Sequence, residues 1–138
     1  FIMALKISKN SGLTDIVSTG DNSNPISTQH PITGSTVEQK LYLFNNDTTK
    51  YYQNITIDPT DAVSTDESTW VLLAPDNAGV AGTYLSAGDA LSMANIGASG
   101  SGDTTGKPFW MKVVSPSGQS VQNKTDIKLT VNYREFAV

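Results

Sequence analysis

The chain has 138 residues, no cysteine, a single histidine and a formal charge of −4. That length suits one domain with one sizeable core, the lack of cysteine excludes a disulfide framework, a thiolate nucleophile and Cys-based metal sites, and one histidine excludes a histidine-cluster metal site. The nine basic residues are scattered singly, without the clustering that nucleic-acid binding requires, and no apolar run approaches the roughly 18 residues that span a bilayer, so neither nucleic acid nor a membrane is an expected partner.

The start, FIMALKISKN, has neither the long apolar segment nor the small-residue cleavage site of a signal peptide, which predicts a chain kept in the cytoplasm unless a signal has already been removed. Met3 followed by Ala4 reads as a natural start, with Phe1 and Ile2 preceding it for no evident reason. A short alternating run over residues 3–8 gives way to a stretch, residues 11–36, dominated by Ser, Thr, Asn, Asp, Gly and Pro. Such a composition buries too little apolar surface to order itself alone. It reads either as plain disorder or as an extended arm that orders against a neighbouring subunit. On the second reading Ile16, Pro25, Ile26, His30, Pro31 and Ile32 are the candidate partner contacts. The chain thus divides into an N-terminal strand with a polar arm, residues 1–36, and a folded unit, residues 37–138.

From Val37 the apolar residues recur with period two. Val37, Leu41 and Leu43 share a face with Gln39, and Glu38, Lys40, Tyr42 and Phe44 take the other, as in a half-buried strand. NNDTTK, residues 45–50, supplies turn residues, and Tyr51, Gln53, Ile55 and Ile57 then alternate with Tyr52, Asn54 and Thr56. An antiparallel pair is the simplest reading of this segment, and a chain crossing between two sheets fits it too. Asp58-Pro59 is expected to end the second strand, because proline cannot donate to a ladder. After an acidic loop, Trp70 to Leu73 forms an apolar run stopped by Ala74-Pro75-Asp76, and short strands follow around Tyr84 and within residues 89–96. GASGSGDTTG, residues 97–106, reads as a flexible loop. Phe109, Met111 and Val113 then oppose Trp110, Lys112 and Val114, and Ile127, Leu129, Val131 and Tyr133 oppose Lys128, Thr130, Asn132 and Arg134 in a closing strand. Seven or eight short strands with turns between them and no amphipathic helix predict an all-β, antiparallel sandwich.

Motifs with chemical meaning are few. His30 lies in the polar stretch, where nothing would hold it rigidly against a nucleophile, so no catalytic residue is assigned. GSGDTTG, residues 100–106, lacks the following helix that a phosphate-cradling loop requires. Asp58, Asp61, Asp66 and Glu67 share one loop but not the spacing of an EF-hand, so no metal and no cofactor is assigned. Trp70 and Trp110, with Tyr51, Tyr52 and Tyr84, would form a sugar-stacking platform only if exposed, and a strand tryptophan in a sandwich is more often core. Three Asn-x-Thr sequons, at Asn46, Asn54 and Asn123, are expected by chance in a chain so rich in Asn and Thr.

KLYLFNNDTTKYYQNITI, residues 40–57, resembles the strand-and-crossing segment of immunoglobulin-like modules, and PFWMKVVSPSGQSVQNKTDIKLTVNY, with its Pro116/Gly118 turn, resembles their closing pair of strands. The resemblance covers about residues 37–133 without a cysteine pair, and it implies an immunoglobulin-like β-sandwich. In layout, a short Ala-Leu-Lys start, a Ser/Thr/Pro arm, one cysteine-free sandwich and an acidic balance, the chain is similar to small virion proteins of tailed bacteriophages, the head decoration or cement proteins. That similarity implies a non-enzymatic protein on the capsid surface, assembled in a host cytoplasm. Its partners would be the major capsid protein or other virion subunits, with self-association, a trimer favoured, and a tail or neck location as a variant. The alternative is a carbohydrate-binding or adhesion module that takes a surface glycan. It requires Trp70 or Trp110 to be exposed.

Overall fold

The structure is a computed structural model that describes residues 5–17, 26–30, 34–61, 70–115 and 122–138. Its elements are all strands: β1 Leu5–Ser8, β2 Ile26–His30, β3 Ser35–Asn45, β4 Lys50–Asp61, β5 Val71–Asn77, β6 Val80–Ala81, β7 Leu91–Met93, β8 Lys107–Ser115 and β9 Gln122–Ala137. They form two antiparallel sheets, one of five strands in the order β1-β3-β8-β5-β6 and one of four in the order β2-β9-β4-β7. The expected antiparallel sandwich is what forms. Among the described residues the strands number nine once the two-residue β6 and the unforeseen β2 are included.

The connectivity refines the class. Among the described strands only β5 and β6 are both sequential and in one sheet; every other connection crosses to the opposite sheet. With β1 set aside, β2-β9-β4-β7 facing β3-β8-β5-β6 is the double Greek key of a jelly roll. Immunoglobulin sheets share the sandwich but keep several hairpins within a sheet.

One core lies between the sheets. Leu5, Ile7, Leu41, Leu43, Val71, Leu73, Phe109, Met111 and Val113 come from the five-stranded side, and Ile26, Tyr52, Ile55, Ile57, Leu91, Leu129 and Val131 from the other. Burying each such side chain contributes about 1.5–3 kcal/mol, so strands of little intrinsic stability hold through this shared layer. Trp70 is in the core as well.

Local departures from simple alternation have identifiable causes. The β4/β9 register shifts between Gln53 and Thr56, where Asn54 has φ 53°, and this bulge turns both Tyr52 and Ile55 inward although they are three residues apart. Asp58-Pro59 does not end β4, which continues to Asp61 with Pro59 opposite Leu129. Pairing with β7 stops at Ile57, so from Asp58 onward β4 is bordered among the described residues by β9 alone, and an edge tolerates a residue without an N–H. Pro75 likewise sits inside β5, on the side away from β8, where its carbonyl accepts the N–H of Gly82. The β5–β6 hairpin turns at Ala78 (φ 53°) and Gly79 (φ 93°), both exposed.

Residues 40–57 take the crossing alternative, since β3 and β4 lie in different sheets. Buried Asn45 organises that crossing. Its Nδ2 donates to the carbonyls of Asp47 (2.8 Å) and Lys50 (3.0 Å), and its Oδ1 accepts from the Asp47 N–H (2.9 Å). Residues 97–106 close against the same turn, with Gly102 so near Thr48 that a Cβ would stand 2.0 Å from its carbonyl oxygen.

The segment read as either disorder or an arm that orders against a neighbour supplies part of the sandwich itself. Ile26–His30 is strand β2 on β9, Ile26 is fully buried, and Ser35 and Thr36 already belong to β3. The Val17 N–H donates to the Ile7 carbonyl, so residues 15–17 return along β1.

Candidate functional site

The outward face of the five-stranded sheet carries the densest grouping of aromatic and charged side chains among the described residues. Alternation along β3 and β8, in register Glu38↔Lys112, Lys40↔Trp110 and Tyr42↔Pro108, points these residues away from the core residues Leu41, Phe109, Met111 and Val113. β5 adds Asp76, and residues 82–88 bring Tyr84 across from the far edge.

Two sets of contacts knit this face. In the first, the Trp110 indole N–H donates to Asp76 Oδ1 (2.9 Å), the Gly79 N–H donates to the other oxygen (3.2 Å), and the Lys40 ammonium lies 3.7 Å from Oδ1. The Trp110 hydrogen bond, then the Gly79 amide and Lys40, hold the Asp76 carboxyl below the usual carboxylate range. Lys40 Nζ also sits 5.7 Å from the ring centres of both Tyr42 and Trp110, a geometry in which the ring quadrupole attracts a cation. In the second set, the Tyr84 hydroxyl donates to Glu38 Oε2 (2.6 Å) while Lys112 Nζ lies 4.2 Å from the Tyr84 ring centre. Desolvation, and then the Glu38 carboxylate, push the Tyr84 phenol well above its ordinary value, so it stays a hydrogen-bond donor.

Trp110 is half-buried, and its indole is fixed by Asp76, which leaves a rigid aromatic surface beside two ammonium groups and two carboxylates. Every charged group in the cluster has a partner. The arrangement is built for contact, with orientation set by fixed donors and acceptors. Trp70, by contrast, is buried, so of the two tryptophans only Trp110 is available at a surface.

A smaller aromatic pair occupies the four-stranded sheet. Tyr51 stacks on Phe136 at 5.1 Å, directly across β4 and β9, with the Arg134 guanidinium 5.8 Å from the Phe136 ring. Tyr52 faces the core, where its ring meets Tyr133 edge-on (5.2 Å) and its hydroxyl donates to Glu135 Oε2 (3.0 Å).

Of the sequence-derived partner contacts, Ile16, Ile26 and His30 fall among the described residues. Ile16 bridges to Ser8 beside β1 and is 38% exposed; Ile26 is in the core on the other sheet. His30 pairs with Gln122 at the end of β2, and Pro25, Pro31 and Ile32 lie outside the described residues. Asp66 and Glu67 of the acidic loop lie outside them too. The residues of the knit face were legible only in part: alternation in residues 37–44 and 109–114 places Glu38, Lys40, Tyr42, Trp110 and Lys112 outward, but nothing local brings Tyr84 and Asp76 to them. No family model matches the chain, and neither a curated protein nor a solved structure is found to be similar to it.

Proposed function

We propose that this protein is a non-enzymatic virion structural protein that decorates or cements a capsid by binding major capsid protein subunits. The observation that carries the reading is the knit face of Glu38, Lys40, Tyr42, Asp76, Tyr84, Trp110 and Lys112. It presents aromatic side chains of the kind enriched at interface centres, beside charges already paired within the sheet. The jelly-roll connectivity supports it as analogy, since viral capsid domains are among those that use this architecture. Many copies, each adding a modest interface, stabilise a shell through multiplicity, and trimeric clustering would add to that. The test is co-sedimentation of the purified chain with shells assembled from the major capsid protein. Saturable binding that weakens at least tenfold in Trp110→Ala is the expected result; binding unaffected by that change, or none, overturns the reading.

The second reading, a glycan-binding module, is favoured by Trp110 alone: a half-exposed indole fixed by Asp76 is a suitable stacking surface. It predicts movement of the Trp110 indole resonance on titration with an oligosaccharide panel and no dependence on capsid shells.

A further inference from the structure

The outer edge of β5 is covered by the chain itself in an unusual register. Gly82, Leu85 and Gly88 donate their N–H groups to the carbonyls of Pro75, Leu73 and Val71 at 2.8, 2.8 and 2.9 Å. The covering segment advances three residues for every two of β5, so it has an extra residue between successive bonds, like a run of bulges. All three bonds run the same way, from the segment to β5. In a regular antiparallel pair the residues that accept also donate. The Val71 and Leu73 amides, on the same edge, donate to no acceptor among the described residues, although both residues are buried.

Side chains hold the segment where its backbone does not fit. Leu85 packs against the core, and Tyr84 is fastened on the outward face by Glu38 and Lys112. Glycines stand at both ends: Gly88 has φ 82°, and a Cβ on Gly82 would lie 3.0 Å from the Pro75 carbonyl oxygen.

We propose that residues 82–89 are a placeholder on a strand-acceptor edge, displaced by an extended segment of a partner subunit that adds to the five-stranded sheet beside β5. A regular strand there keeps the three bonds to the carbonyls and gains those from the Val71 and Leu73 amides. Pro75, having no N–H, limits the added ladder at that end. The placeholder itself defines the occupant: alternating apolar and polar residues, with an apolar side chain at the core edge where Leu85 lies and an aromatic or hydroxyl-bearing one on the outward face where Tyr84 lies. Tyr84 is the latch, and its contacts set how readily the edge opens. The inference rests on the subunit-binding reading and names where one partner segment docks.

The test uses the full chain and a fluorescein-labelled synthetic hexapeptide, Thr-Tyr-Leu-Thr-Val-Thr, followed by fluorescence anisotropy and by amide hydrogen exchange. Tyr84→Ala is expected to bind the peptide at least tenfold more tightly than the unaltered protein, and Glu38→Gln to fall between. On binding, exchange of the Leu73 amide slows and exchange of Leu85 and Gly88 accelerates. Equal affinity across the three proteins, or binding that leaves the Leu73 amide unchanged, overturns the proposal. If Tyr84→Ala does not fold, Glu38→Gln decides alone, with a threefold gain expected and no gain overturning it. Loss of capsid co-sedimentation with peptide addition intact would count against the proposed function only, and the reverse result against this inference only.

Discussion

Gly102 shows how much of this molecule depends on single positions in segments whose composition suggests slack. A Cβ there would stand 2.0 Å from the Thr48 carbonyl oxygen, a backbone atom that cannot swing aside. Gly102→Ala is therefore expected to force the 97–106 loop off the β3–β4 crossing and to cost about 1–3 kcal/mol, the range for overpacking, measured by urea denaturation. Gly12, where a Cβ would meet nothing nearer than Thr14 Oγ1 at 3.9 Å, offers the control position. One residue further on, Asp103 accepts from Lys107 Nζ (2.6 Å) and from the Thr105 amide and hydroxyl, and these bonds, Lys107 first, hold its carboxyl at about 2 against an ordinary 3.8. A carboxyl depressed by folding contributes its stability above the ordinary value and loses it as pH falls toward the folded one. Stability should thus decline between pH 3.8 and about 2, and Asp103→Asn should flatten that part of the curve. The pair is nearly a third exposed, so the difference at neutral pH is expected to stay below about 1 kcal/mol. A pH-independent gap between the two proteins would contradict this assignment.

Among the elements, β2 changes the reading of the chain most. Its surroundings in the sequence are polar throughout, and the one apolar residue at its start, Ile26, gives no period by which a strand is recognised. Yet Ile26 reaches the core opposite Ile127, and β2 forms one side of the four-stranded sheet. Removing residues 1–36 takes away β1, β2, the first two residues of β3 and the core side chains of Leu5, Ile7 and Ile26. The shortened chain is expected to lose its cooperative thermal transition, whereas a free arm would leave that transition in place. Ile26→Ala should cost about 2–5 kcal/mol and Ile16→Ala, at an exposed position, no more than about 0.5 kcal/mol. The other strands were more readable. Alternation sets Leu41 and Leu43 on one face of their strand, and Phe109, Met111 and Val113 on one face of theirs, and all five are fully buried. It leaves Tyr52 undecided, because a bulge at Asn54 adds a residue that no local pattern announces. Neither Pro59 nor Pro75 stops its strand: Pro59 stays paired with Leu129 of β9 beyond the last residue that pairs with β7, and Pro75 stays paired with Phe109 of β8 while its carbonyl accepts the Gly82 N–H.

For the whole molecule, the strand order was beyond the reach of local pattern, because it is decided by which distant segments share a face. β1 pairs with the far end of β3, β2 with β9, and β8 with both β3 and β5. The candidate site shares that limit: Trp110 meets Asp76 across 34 positions of sequence and Tyr84 meets Glu38 across 46. A chain whose sheets close only through such distant pairings has to lose much loop entropy before the contacts return it. Refolding is accordingly expected in milliseconds to seconds, as for other sandwiches, and stopped-flow fluorescence of the buried Trp70 would follow it. Recovery of the full signal within microseconds would be inconsistent with this topology.

The tip of the β5–β6 hairpin has a practical meaning. Ala78 and Gly79 are exposed in left-handed conformations, a Cβ on Gly79 would touch nothing, and the strands on either side are short. Exposed tips of this kind accept inserted sequence with little loss to the core, here at the expense of the Gly79 N–H bond to Asp76. A foreign epitope grafted there would be carried on the rim of a cysteine-free scaffold, where no thiol competes with the cysteines of a disulfide-bonded insert.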